Sequence, residues 1–142
     1  MKKRTFGRTG LRVFPLGYGA GVLSGERLPA GGSAGAAGRL LNLALDAGIN
    51  YIDTSPDYGN SEELIGRALA GRRREFVLAT KCGCPDRGWR RGHEWTAERL
   101  LKNIETSLRR LRTDHVDVWQ LHNPDPEMVR RGGLQEVMER VR

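Results

Sequence analysis

The sequence predicts an α/β fold made of repeated βα units around a parallel sheet. Three observations carry that prediction. Amphipathic helical stretches alternate strictly with short apolar strand-like stretches from residue 17 onward, and such alternation requires crossovers between parallel strands. Four of these units occupy residues 17–142 at about 31 residues each, which is the spacing of a (β/α)8 TIM-type barrel of roughly 250 residues. Ionisable residues stand at the carboxyl ends of successive strands, where parallel α/β folds place their ligand face. The rhythm therefore matches half a (β/α)8 barrel, and a four-strand open sheet with helices on both faces is the rival. The 142 residues make one domain: a hairpin over 1–15, then four βα units over 16–142 with the last helix cut by the chain end.

The elements follow in order. Arg4-Thr5-Phe6 and Leu11-Arg12-Val13 read as a hairpin turned by Gly7-Arg8-Thr9-Gly10, and Pro15 ends it. The strand Leu16–Ala20 runs into a glycine-rich loop over 21–32. Ser33 is a fit N-cap for a helix burying Ala37, Leu40, Leu41, Ala44 and Leu45, and Gly48 is its stop. After the strand Ile49–Asp53, Ser61 caps a second helix with Glu62 and Glu63 in its first turn and Leu64, Ile65, Ala68 and Leu69 inside. The strand Phe76–Lys81 leads to a third helix, capped by Thr96, with a face of Leu100, Leu101, Ile104, Leu108 and Leu111. The strand Val116–His122 is last, and a fourth helix begins near Gly133 with Leu134, Val137, Met138 and Val141.

Composition excludes several classes. At 38% hydrophobic and 29% charged residues this is an ordinary globular chain, with no apolar run of the ~18 residues a membrane span needs. No apolar stretch follows the basic N-terminus, so no signal peptide is expected. The net charge of +7 comes largely from scattered arginine doublets and triplets. With no zinc-finger spacing, aromatic string or long basic run, they read as solvated surface rather than a nucleic-acid footprint. Cys82 and Cys84 are too close for an ordinary disulfide, and no Cys/His spacing suggests zinc, so no metal is expected. The chain reads as a reduced, cytoplasmic protein. Cys82 and Cys84 read as loop-shaping residues, while His93 and His115 read as surface. Trp89 and Trp95 are candidates for lining a substrate pocket, and packing against the third helix is an equal reading for Trp95.

Chemistry gathers at Asp53, Lys81 and His122, each at a strand's carboxyl end, and at Tyr58 five residues beyond Asp53. Strand parity puts Tyr51 with Asp53 on one face, Val77 and Ala79 with Lys81, and Val118 and Gln120 with His122. An aspartate can hold a lysine ammonium in position, and the ammonium favours tyrosinate. The tyrosine can then protonate a carbonyl oxygen as a general acid, while a neutral histidine orients that carbonyl. No side chain supplies a hydride, so reduction requires a nicotinamide cofactor. The run Gly17-x-Gly19-x-Gly21 is not a dinucleotide fingerprint, because Val22 breaks the required spacing.

The segment Gly48-Ile49-Asn50-Tyr51-Ile52-Asp53-Thr54-Ser55-Pro56-Asp57-Tyr58-Gly59-Asn60-Ser61-Glu62 resembles the signature of the aldo-keto reductase family. So do Leu78-Ala79-Thr80-Lys81, Val116-Asp117 and Gln120-Leu121-His122-Asn123-Pro124, in matching order and spacing. The opening Phe6-Gly7-Arg8-Thr9-Gly10-Leu11 is similar to the hairpin that plugs the barrel bottom in the family's bacterial branch. The likeness runs from about Thr5 to the last residue. It implies a (β/α)8 barrel and NADPH-dependent reduction of an aldehyde or ketone to an alcohol, or the reverse, with NADH left open. It puts the catalytic set on Asp53, Tyr58, Lys81 and His122, and cofactor contacts on Gly19, Ala20 and Asp53. A small carbonyl or alcohol is the implied substrate.

Length is the departure from that pattern. The family's amide-binding, ring-stacking and phosphate-gripping positions lie on later strands, and nothing here corresponds to them. The expectation is the N-terminal half of a barrel, inactive alone. Its strand edges would be exposed and Val77, Ala79, Val116 and Val118 poorly covered, which favours self-association. A non-catalytic remnant or interaction module, keeping the four residues by descent, is the alternative.

Overall fold

The computed structural model describes residues 2–23, 34–85, 92–130 and 132–140. Strands β1 (Arg4–Thr5) and β2 (Arg12–Val13) pair antiparallel, with Arg4 opposite Val13. The chain continues through β3 (Tyr18–Gly19), α1 (Ala34–Asp46), β4 (Tyr51–Asp53), α2 (Ser61–Leu69) and β5 (Val77–Cys82). It ends with α3 (Ala97–Leu111), β6 (Val118–Leu121), α4 (Pro126–Arg130) and α5 (Leu134–Arg140). Strands β3 to β6 form one parallel sheet in chain order. A doubly wound sheet reverses its order at a switch point. No reversal occurs among these four strands, so the arrangement is that of a barrel segment.

The helices pack on the outer face of the sheet. Ile52 and Leu78 point outward into a core with Leu41, Leu45, Ile65 and Leu69, all buried. A smaller cluster joins Cys82 and Leu100 to Leu134, flanked by Trp95 and Trp119. At the sheet's amino end the hairpin is clamped by one side chain. The buried Asn50 donates from Nδ2 to the Arg12 carbonyl at 2.9 Å and accepts the Phe14 amide at 2.7 Å. The Phe6 ring packs on Tyr51 with centroids 5.5 Å apart. Asn50→Ala leaves two backbone groups unpaired, so it is expected to cost about 1–3 kcal/mol; urea unfolding of the variant beside the parent checks this.

Several expectations need correction. Strand β3 is shorter than Leu16–Ala20, because Ala20–Leu23 turns into a 3-10 helix. Leu40 is 45% exposed and Leu101 41% exposed, since each lies on the flank of its helix. The inner face of α3 instead uses Asn103 and Ser107 beside Leu100, Ile104 and Leu111. Ser61 is the first residue of α2, not its cap; its buried hydroxyl donates to the Ala20 carbonyl at 3.0 Å and meets Thr54 Oγ1 at 2.9 Å. Thr96 does cap α3, accepting the Arg99 amide. Gly48, at φ +90°, ends α1 as expected. Helix α4 has no counterpart in the predicted elements. Val77 and Ala79 are buried, and the half-buried Val116 packs against the outer core, so of the four only the half-buried Val118 marks an open part of the inner face. Some of the arginines act as braces: Arg72 pairs with Asp46 and Glu75, and Arg73 with Asp117. Asp117 also accepts the Leu78 amide, which ties β5 to the segment entering β6. Ser33, Trp89 and Val141 lie outside the described residues. No helix among the described residues is long and apolar enough to cross a membrane.

Candidate active site

Parallel register brings the strand ends together. Gly19 lies opposite Asp53, Asp53 opposite Ala79, and Lys81 opposite Gln120. The buried Lys81 ammonium therefore reaches Asp53 Oδ2 at 2.7 Å and the Thr54 carbonyl at 2.8 Å. The other carboxylate oxygen of Asp53 accepts from Gln120 Nε2 at 2.9 Å. Both oxygens are thus engaged, and the ammonium is held by two charge-assisted or carbonyl contacts. The loop after β4 folds back as a turn, with the Tyr58 amide bonded to the Ser55 carbonyl. This sets the Tyr58 ring over the ammonium, 4.8 Å from Nζ to the centroid. The expected bond from Lys81 is made to Asp53; toward Tyr58 the contact is with the ring face. Tyr58 also meets His122 edge-on, centroids 5.9 Å apart. All four sequence-predicted residues stand together at the carboxyl end of the sheet.

His122 follows β6 directly, its amide extending the ladder to the Cys82 carbonyl. Its Nδ1 faces inward, 3.1 Å from Cys84 Sγ, 3.3 Å from Ser55 Oγ and 3.4 Å from Asp57 Oδ2. Burial pushes the imidazole below its ordinary pKa, and the Asp57 charge opposes that only in part, so the ring is neutral at pH 7. Burial also pushes the Cys82 and Cys84 thiols up to about 12. His93 is half-buried rather than at the surface, stacked on Trp95 at 5.8 Å and edge-on to His122 at 5.0 Å. His115 is exposed and pairs with Asp114.

The residues assigned to a cofactor divide. Gly19 is exposed, and a Cβ there would meet nothing within 4 Å, which leaves an open floor beside Asp53. Ala20 is fully buried in the apolar core, and its carbonyl is taken by Ser61. Gln120 shares strand parity with His122, the signal by which it was legible. Ser55, Asp57 and Cys84 offered no such signal, because they lie in loops.

The family model of the aldo/keto reductases matches residues 15–141. The chain belongs to the aldo/keto reductase family. An L-galactose dehydrogenase of Arabidopsis thaliana is 38% identical over 125 residues, covering 84% of this chain and 37% of that enzyme. Among solved structures, an aldo-keto reductase of Pseudomonas aeruginosa superposes with a TM-score of 0.85 at 32% identity, covering 98% of this chain and 53% of that one. The holo form of an aldo-keto reductase from Bacillus halodurans gives 0.78 at 34% identity, covering 98% and 44%. This aldo/keto reductase chain therefore spans about half or less of the proteins it matches, and its fold is that of half a (β/α)8 barrel.

Proposed function

We propose that this chain carries the proton-transfer half of an NAD(P)H-dependent carbonyl reductase, with Tyr58 as general acid. One observation carries the reading: Lys81 bridges Asp53 and the Tyr58 ring, and His122 meets that ring edge-on. The Tyr58 hydroxyl gives its proton to a carbonyl oxygen as negative charge builds there. The fixed ammonium of Lys81 stabilises the tyrosinate left behind, and Asp53 with Gln120 keeps that ammonium from swinging away. His122 turns Nδ1 toward Cys84 and Asp57, leaving its other nitrogen to meet the carbonyl. Reduced nicotinamide, when bound, supplies the hydride that no side chain can. The open floor at Gly19 beside Asp53 suits the flat end of such a group, and these two residues would border it. Ala20 offers only its backbone. NADPH is the proposed form, and the substrate a small aldehyde or ketone, or the matching alcohol.

The half-barrel carries these groups but leaves the outer edges of β3 and β6 without a strand partner among the described residues, and β6 is half-buried throughout. A protein whose edges stay open pairs or aggregates. The test joins this chain to the portion of the Pseudomonas protein that the match leaves uncovered. That chimera is expected to oxidise NADPH when given small aldehydes, ketones or hexoses. The 142-residue chain alone is expected to bind NADPH weakly, to turn nothing over, and to elute as a dimer or larger species by light scattering. A chimera that folds, binds NADPH and reduces none of the carbonyls refutes the reductase reading. A stable 142-residue monomer with micromolar NADPH affinity refutes the need for a second half.

A further inference from the structure

The geometry points to a divalent metal site behind the catalytic face, a zinc-type centre with Asp57, Cys84, His93 and His122 as its ligands. One ligand atom from each of these residues lies within 4.8 Å of all the others. Bonds of about 2.0–2.3 Å put the ligand atoms of a tetrahedral zinc site roughly 3.3–3.8 Å apart. The edge between Cys84 Sγ and His122 Nδ1 is 3.1 Å, and that between Asp57 Oδ2 and His122 Nδ1 is 3.4 Å. Two edges are therefore already close to the required length, and the remaining ones need to close by up to about 1.5 Å.

The donors sit on braced elements. Asp57 is locked by Ser55 Oγ, which donates to its Oδ1 at 2.6 Å; an outer hydrogen bond of this kind orients a ligating carboxylate. The Cys84 carbonyl accepts from Asn103 Nδ2 at 3.0 Å. The Glu94 amide bonds the Gly83 carbonyl at 2.9 Å, which draws His93 across the loop toward Cys84. Gly83, at φ +80°, lets the Trp95 ring lie against it, where a Cβ would come within 2.3 Å; Trp95 in turn backs His93. A second observation bears on the same residue: His93, which offers one ring nitrogen to the cluster, has its Nε2 buried and without a hydrogen-bond partner among the described residues. Buried ring nitrogens without partners are costly, and a metal ion would satisfy this one.

Donor chemistry selects the ion. One thiolate, two imidazoles and a carboxylate suit zinc or cobalt and not magnesium or calcium, which prefer all-oxygen shells. Binding releases the Cys84 thiol proton to solvent, and thiolate and carboxylate together balance the two positive charges. Coordination at His122 Nδ1 leaves the ring's remaining proton on Nε2, so the metal would orient the histidine rather than compete with the carbonyl. The inference stands apart from the reductase reading, and its test uses no activity.

The experiment titrates the reduced, chelator-treated 142-residue chain with Co2+. One equivalent is expected to give the intense visible bands of four-coordinate cobalt and a near-ultraviolet thiolate-to-cobalt band, both bleached by Zn2+. Cys84→Ser is expected to remove the thiolate band, and His93→Gln to weaken binding at least about tenfold. Cys82→Ser, which changes the neighbouring buried thiol, is expected to leave both. Circular dichroism of each metal-free variant checks folding; should Cys84→Ser fail to fold, His93→Gln decides alone. Absence of the bands in the parent chain, their persistence in both Cys84→Ser and His93→Gln, or their loss only in Cys82→Ser overturns the site.

Discussion

Tyr58→Phe in the chimera is expected to lower carbonyl-reduction turnover by roughly 10²–10⁴-fold, the usual worth of a positioned general acid, with cofactor affinity nearly unchanged. The substitution is a narrow one. Phenylalanine keeps the ring that lies 4.8 Å from the Lys81 ammonium and 5.9 Å from the His122 ring, so packing and the Lys81–Asp53 pair survive. Only the proton is lost. Steady-state turnover with a saturating aldehyde, beside an NADPH fluorescence titration, separates the two effects. A variant that turns over at the parent rate removes Tyr58 from the mechanism, and one that loses NADPH binding means the ring itself shapes the cofactor site.

The largest expected effect on stability is that of Gly66→Ala. Glycine in a helix interior is ordinarily worse than alanine by about 1 kcal/mol, so on α2 alone this change should stabilise. The tertiary contact reverses the sign. An added Cβ would lie 2.3 Å from the Arg110 carbonyl oxygen and 2.7 Å from the Leu111 carbonyl carbon, both backbone atoms of α3. Backbone cannot rotate aside as a side chain can, so α2 and α3 must separate. That parting also strains the Arg110 contacts to Glu62 and Glu63 at 3.4 Å and the packing around Leu69 and Leu111. Overpacking of this kind costs about 1–3 kcal/mol and occasionally more, a drop of roughly 3–10 °C in the thermal midpoint. Gly71→Ala, where a Cβ meets nothing within 4 Å, is the matched control and should change the midpoint little. Thermal melts of both at equal protein concentration check the pair; equal midpoints would show that α2 and α3 are not held at this separation.

Local pattern and strand parity were enough to reach much of the site from the residues alone. Asp53, Lys81 and His122 end strands, and period-two alternation puts the groups that converge on one face. The four units at even spacing implied a parallel sheet in sequential order, and the turn chemistry of Gly7–Gly10 implied the hairpin. Each of these rests on interactions within one element or between adjacent ones. What the tertiary structure decided is everything that depends on rotation and on loops. The inner face of α3 turned toward Asn103 and Ser107 rather than Leu101, because a helical period defines a stripe but not which flank meets a neighbour. Ser61 serves the Ala20 carbonyl instead of its own helix terminus, since a partner 41 residues away competes with the local one. Asp57, Cys84, His93 and His122 have no zinc-like spacing along the chain. They come within 4.8 Å because the sheet sets the ends of β4, β5 and β6 side by side, and only that stacking brings three loops onto one point.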